Sequence, residues 1–155
     1  MIKRTTIIET ITLLNIILFL YTGIAKIQDY IVFKDQMLDS PILAPIAGAI
    51  AILLPTVEFL VVFMLIIPRW RSKGLHTTLA LMIAFTAYII ALFAFNKEMP
   101  CSCGGIMEEL SWSQHIGFNS CFILLNIWAI LLYRKEKREI SKELYRVEEY
   151  KVSGV

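Results

Sequence analysis

The chain has 155 residues, 57% of them hydrophobic, with a mean hydropathy of +0.68, yet 18% of it is charged. Such charge must be segregated from the apolar runs, which excludes an ordinary soluble domain and implies a small integral membrane protein surrounded by lipid. The net charge of +2 and basic residues set beside apolar runs, rather than interleaved with aromatics, give no footprint for nucleic acid.

A helix crossing a hydrocarbon core of about 30 Å needs about 20 mostly apolar residues, and four such runs occur, at about 7–27, 43–67, 75–95 and 116–133. The first follows Lys3 and Arg4, as the apolar part of a signal peptide would. No small-x-small cleavage site follows it, and Tyr21, Thr22 and Lys26 close it like a helix reaching the interface, so it is expected to be retained. The connector 28–40 mixes Asp29, Lys34, Asp35 and Asp39 with Tyr30, Ile31, Val32, Phe33, Met37 and Leu38, which predicts a short helix lying in the interface. The second run opens between Pro41 and Pro45. Its small residues Ala47, Gly48, Ala49 and Ala51 favour close helix approach, and Pro55 and Glu58 lie within it.

A basic turn, Pro68 to Gly74, leads to the third run, whose polar contents are Thr77, Thr78, Thr86 and Tyr88; the fourth contains Asn119, Cys121 and Asn126. Beyond it a charged tail carries Ile140, Leu144 and Val147 at helical spacing, the pattern of an amphipathic helix. The expected fold is therefore all-α, an integral membrane four-helix bundle, with residues 1–133 as the membrane domain and 134–155 as a cytoplasmic tail. Of the fifteen Lys and Arg residues, all but Lys26, Lys34 and Lys97 lie at the N-terminus, in the 68–74 turn or in the tail. The excess of basic residues marks the cytoplasmic side, so both termini are expected there. Cys101 and Cys103 then face outward, into the periplasm if the membrane is the inner membrane of a bacterium, where disulfides form and persist.

Reactive side chains crowd together in one place only. Pro100-Cys101-Ser102-Cys103-Gly104-Gly105 is followed by Glu108, Glu109, Trp112, His115 and Asn119. A disulfide between residues two apart is strained and easily reduced, and the two glycines would leave its sulfurs open to an incoming thiolate. His115, folded near, would favour a thiolate by charge and hydrogen bonding. These residues read as a thiol-redox site with Cys101, Cys103 and His115 as its catalytic groups. The same three would also make a soft metal site for Cu(I) or Zn(II), with no fourth ligand evident; a structural staple is the third reading.

Asn119 lies one turn beyond His115 on the same face, and Trp112 suits the aromatic belt or a stacking contact with a quinone. No cofactor is fixed by the residues, and a quinone is the candidate. Cys121, a turn and a half inside the span, is expected to pack as a small apolar group. Glu58 is the one carboxyl near the middle of a run, so it must be protonated or partnered, with Tyr21, Thr22, Thr86 and Tyr88 as partners in reach. His76 is expected to be a solvated end residue.

Four spans, Gly23-Ile24-Ala25-Lys26, the Pro55-to-Glu58 spacing, Cys101-Ser-Cys-Gly-Gly and the Ser111-Trp-x-x-His-x-x-x-Asn119 run together resemble the MauE/DoxX group of redox-associated membrane proteins, in particular the MauE domain, over about residues 7–133. The resemblance implies a bundle laid out like the quinone-linked thiol oxidoreductases of the DsbB and vitamin K epoxide reductase type. It also implies a thioredoxin-like periplasmic partner in disulfide formation or maturation of exported proteins, with Lys26, Glu58, Trp112 and Asn119 as supporting residues. Those enzymes use Cys-x-x-Cys, whereas this chain has Cys-x-Cys. The alternative is a non-enzymatic membrane scaffold, or a Cu- or Zn-handling subunit with the same cysteines as ligands.

Overall fold

A computed structural model of the protein describes residues 4–40, 42–95 and 112–153. Among them are five α-helices: α1 (Arg4–Gln28), α2 (Tyr30–Asp39), α3 (Ala47–Ile66), α4 (Arg71–Phe95) and α5 (Trp112–Ser153), with a 3₁₀ turn over Ala44–Ile46 ahead of α3. Four of them, all but α2, are long and apolar enough to cross a membrane. The protein is an all-α bundle of four such helices, as the apolar runs predict.

Element ends follow local chemistry. Gln28 ends α1, and the chain turns at Asp29 into α2, whose Phe33 amide donates to the Asp29 carbonyl at 2.9 Å. Pro45 starts the turn that feeds α3, since proline loses nothing where an N–H has no helical partner. Pro55 sits inside α3, where its missing N–H leaves the Ala51 carbonyl without the usual bond. The turn after Ile66 is closed by the Trp70 amide donating to the Ile67 carbonyl at 2.9 Å. Gly74 lets α4 start hard against α3, because a Cβ there would stand 2.9 Å from Leu65 Cδ2. Of the small residues in α3, Ala47 and Ala51 turn inward, each 1% exposed, while Gly48 meets nothing within 4 Å.

The crossing helices pack in a ring, α1 on α3, α3 on α4, α4 on α5 and α5 back on α1, and α2 lies against α3. Leu13, Ile17, Leu53, Phe63, Ile83 and Leu124 point outward, whereas Thr12, Asn15, Lys26, Glu58, Thr78, His115, Asn119 and Asn126 are buried. Apolar groups outside and polar groups inside is the arrangement that lipid as solvent demands. Ile11, Phe19, Val61, Leu65, Leu75, Met82 and Ala129 fill the space between the helices.

At one end, the tail end, Arg4 bonds Glu139 at 2.7 Å and Thr5 bonds Glu136 at 2.9 Å, joining the start of α1 to α5. There too His76 bridges the Ser72 carbonyl at 2.6 Å and Arg134 at 3.1 Å, so it is exposed but anchored rather than merely solvated. The loop end is where α4 stops and α5 begins. The fourth crossing and the tail are one unbroken helix of 42 residues, about 63 Å long at 1.5 Å per residue, twice what a bilayer core needs.

Candidate functional site

Toward the loop end, α1 and α3 are joined by charge. Lys26 Nζ donates to Glu58 Oε1 at 2.7 Å, with the two side chains 4% and 9% exposed. The ammonium also reaches the Thr22 carbonyl at 3.4 Å and lies 5.8 Å from the centre of the Phe33 ring, which α2 folds over the pair. Gly23 makes the approach possible. A Cβ on it would stand 3.3 Å from the Phe59 ring and 3.4 Å from Glu58 Oε2. Thus Gly23 and Lys26, one turn apart on α1, form the room and the counter-charge for the carboxyl that α3 presents three residues after Pro55.

The partner of Glu58 is therefore Lys26, which corrects the expected set: Thr86 bonds the Met82 carbonyl and Tyr88 donates to Ser40 Oγ at 2.9 Å. Of that set, Thr22 hydrogen-bonds the carboxyl. Lysine at the end of a span suggests an interfacial group, and only the α1–α3 packing turns it back into the bundle.

On α5, His115 and Asn119 share a buried face, 1% and 4% exposed, and His115 has a partner within the protein. Seven residues on, Asn126 Nδ2 donates to Asn15 Oδ1 of α1 at 3.0 Å. Asn15 went unnoticed among the apolar residues of the first run; an amide in mid-span was the available signal. Eleven residues separate Asn15 from Lys26 and Asn126 from His115, three turns in each helix, so Lys26 and His115 stand on the same faces as the amide pair, about 16 Å nearer the loop end. By the same measure Thr22 and Asn119 share a depth one turn further in.

Cys101 and Cys103 lie outside the described residues, as does the side chain of Trp112, whose backbone begins α5. Among the described residues no three His, Cys, Asp or Glu side chains gather as metal ligands. Cys121 is a free thiol exposed on the surface of the bundle, not packed within it. The structure thus brings Lys26 to Glu58 and sets His115 with Asn119.

The sequence pattern of the methylamine utilisation protein MauE matches residues 4–132. The chain belongs to the MauE family. No curated protein and no solved structure matches it. The MauE match begins with α1 and stops at Leu132, where the crossing part of α5 gives way to the charged tail, so the family pattern covers the bundle and not the projecting helix. Within it fall the Gly23/Lys26 and Pro55/Glu58 spacings that build the ion pair, and family membership is consistent with a redox-associated membrane role.

Proposed function

We propose that this MauE protein is a membrane thiol-redox component whose Cys101/Cys103 pair exchanges electrons with a thioredoxin-like protein on the outer side of a bacterial inner membrane, both termini being cytoplasmic. The observation that supports this most is the MauE match over residues 4–132, within which the cysteines occupy the segment that joins α4 to α5 at the loop end. His115 stands just inside that end, on the first turn of α5. In the oxidising direction a partner thiolate attacks one sulfur of the Cys101–Cys103 disulfide, the S–S bond breaks and a mixed disulfide forms. The partner's second thiolate then displaces the cysteine, so that the partner leaves oxidised and the pair holds two electrons and two protons. A second carrier, a quinone or a protein, takes these up.

Replacement of one cysteine tests this. In Cys103→Ser or Cys101→Ser no internal disulfide forms; the remaining thiolate instead attacks the disulfide of an oxidised partner, the mixed disulfide lacks this chain's second cysteine to resolve it, and non-reducing electrophoresis of membranes shows the adduct. His115→Ala slows the exchange but lets it finish. If neither variant traps a partner and purified protein carries stoichiometric Cu or Zn that each Cys→Ser change removes, the cysteines are ligands of a metal-handling subunit instead.

A further inference from the structure

Past Tyr133, α5 leaves the bundle carrying an apolar stripe. Ile140 and Leu144 stand fourteen residues, nearly four turns, beyond Asn126 and Ile130, which are 0% and 6% exposed on the face that packs into the bundle, and Val147 lies one turn past Leu144. The stripe continues that packing face where there is no bundle left to pack on: Ile140 is 54% exposed, Leu144 62% and Val147 48%. Lipid does not reach it either. The unbroken helix carries Ile140 about 10 Å and Val147 about 21 Å past Tyr133, whereas headgroups extend only about 5–7 Å beyond the hydrocarbon.

The charges around the stripe decide what can cover it. At about 3.6 residues per turn, Glu136 and Glu143 run along one edge and Glu148 along the other, while Lys135, Arg138, Lys142 and Arg146 occupy the back. Glu136 already accepts from Thr5 at 2.9 Å, which leaves Glu143 and Glu148, both exposed, beside the apolar side chains. A second copy is a poor fit. Two copies in one membrane send their tails the same way, and in that parallel register Lys137 faces Lys137 and Glu143 faces Glu148, so the stripe repels its own kind.

We propose that residues 140–148 of α5 are the docking surface for an amphipathic helix of another protein on the tail's side of the membrane, a helix whose apolar stripe is edged with lysine or arginine. Its apolar side chains cover Ile140, Leu144 and Val147, and its basic edges meet Glu143 and Glu148. The MauE pattern stops at residue 132, so this surface belongs to the chain's own tail and not to what the family implies. It is also independent of the chemistry of Cys101 and Cys103.

The experiment uses the full chain in nanodiscs of phosphatidylcholine, which carries no net charge, and two fluorescent designed helical peptides. The peptides share a leucine stripe and differ only in having lysine or glutamate along both edges. By fluorescence anisotropy the lysine-edged peptide binds the wild type about tenfold more tightly than the glutamate-edged one, and Leu144→Ser weakens it by about tenfold. The Glu143→Lys/Glu148→Lys double variant reverses the preference. These residues lie outside the bundle, so its thermal midpoint stays in place in every variant and a loss of binding is not a loss of fold. The proposal is overturned if neither peptide binds, if the two bind alike, or if binding ignores Leu144→Ser. It is overturned equally if sedimentation shows a wild-type dimer that Leu144→Ser dissociates, because a second copy then covers the stripe. The same holds if the fluorescence that Leu144→Trp adds is quenched by brominated lipid, because the membrane then covers it.

Discussion

A lysine and a glutamate buried together are worth most when both are present. Removing one partner of a buried pair strands the other charge, a loss of about 3–5 kcal/mol, whereas replacing both with apolar groups of similar size is often neutral. Glu58→Gln is therefore expected to lower the unfolding midpoint steeply in detergent, Lys26→Met likewise, and the Lys26→Met/Glu58→Met double variant to recover much of the loss. Equal and additive losses would show that the two residues act apart. Gly23 should be as sensitive. With Phe59 and the carboxyl 3.3 and 3.4 Å from its missing Cβ, Gly23→Leu overpacks the α1–α3 contact and costs about 1–3 kcal/mol, whereas Gly48→Leu, with nothing within 4 Å, leaves the midpoint in place. The residue types of this site were legible as a mid-span acid needing a partner. Their pairing was not, because Lys26 lies 32 residues from Glu58 and a lysine near a span's end ordinarily reaches for the interface.

The helices were the readable part, since runs of about 20 apolar residues have few other fates, and the short α2 appears where charged and apolar residues alternate. Composition misleads at Tyr133. The change from apolar to charged residues reads as a boundary, but with no glycine or proline between Phe118 and Ser153 nothing stops the helix, and it leaves the bundle without a break. Lys135→Pro should separate the two halves: the tail becomes accessible to protease, while the bundle's midpoint shifts little, because Arg4–Glu139 is an exposed pair. That pair has a pH signature. The hydrogen bond from Arg4 holds the Glu139 carboxyl below the usual carboxylate range. Its contribution is therefore present at neutral pH and disappears only as pH falls through that depressed value, so Arg4→Gln and wild type should converge in midpoint at strongly acidic pH and under high salt.

At the scale of the whole molecule, the division of basic residues puts the start of α1, the α3–α4 turn and the tail on one side, and the contacts of Arg4 with Glu139 and His76 with Arg134 gather the same segments at one end. A membrane-impermeant maleimide added to intact spheroplasts should label reduced Cys101 and Cys103, and labelling of them only after lysis would reverse the orientation. Cys121, on the surface that faces lipid, should react with a lipid-soluble maleimide and resist the impermeant one. The Asn15–Asn126 bond also bears on how the protein is made. It joins the first crossing helix to the last, so during synthesis the Asn15 side chain waits in the membrane until the ribosome has delivered the end of the chain. An arrested or truncated product thus leaves Asn15 Oδ1 without the donor it has in the finished protein, while its Nδ2 still bonds the Ile11 carbonyl. In a pulse-chase, chains ending before Asn126 should be degraded faster than full-length chains, and Asn15→Leu should bring the truncated chain's lifetime closer to that of the complete one.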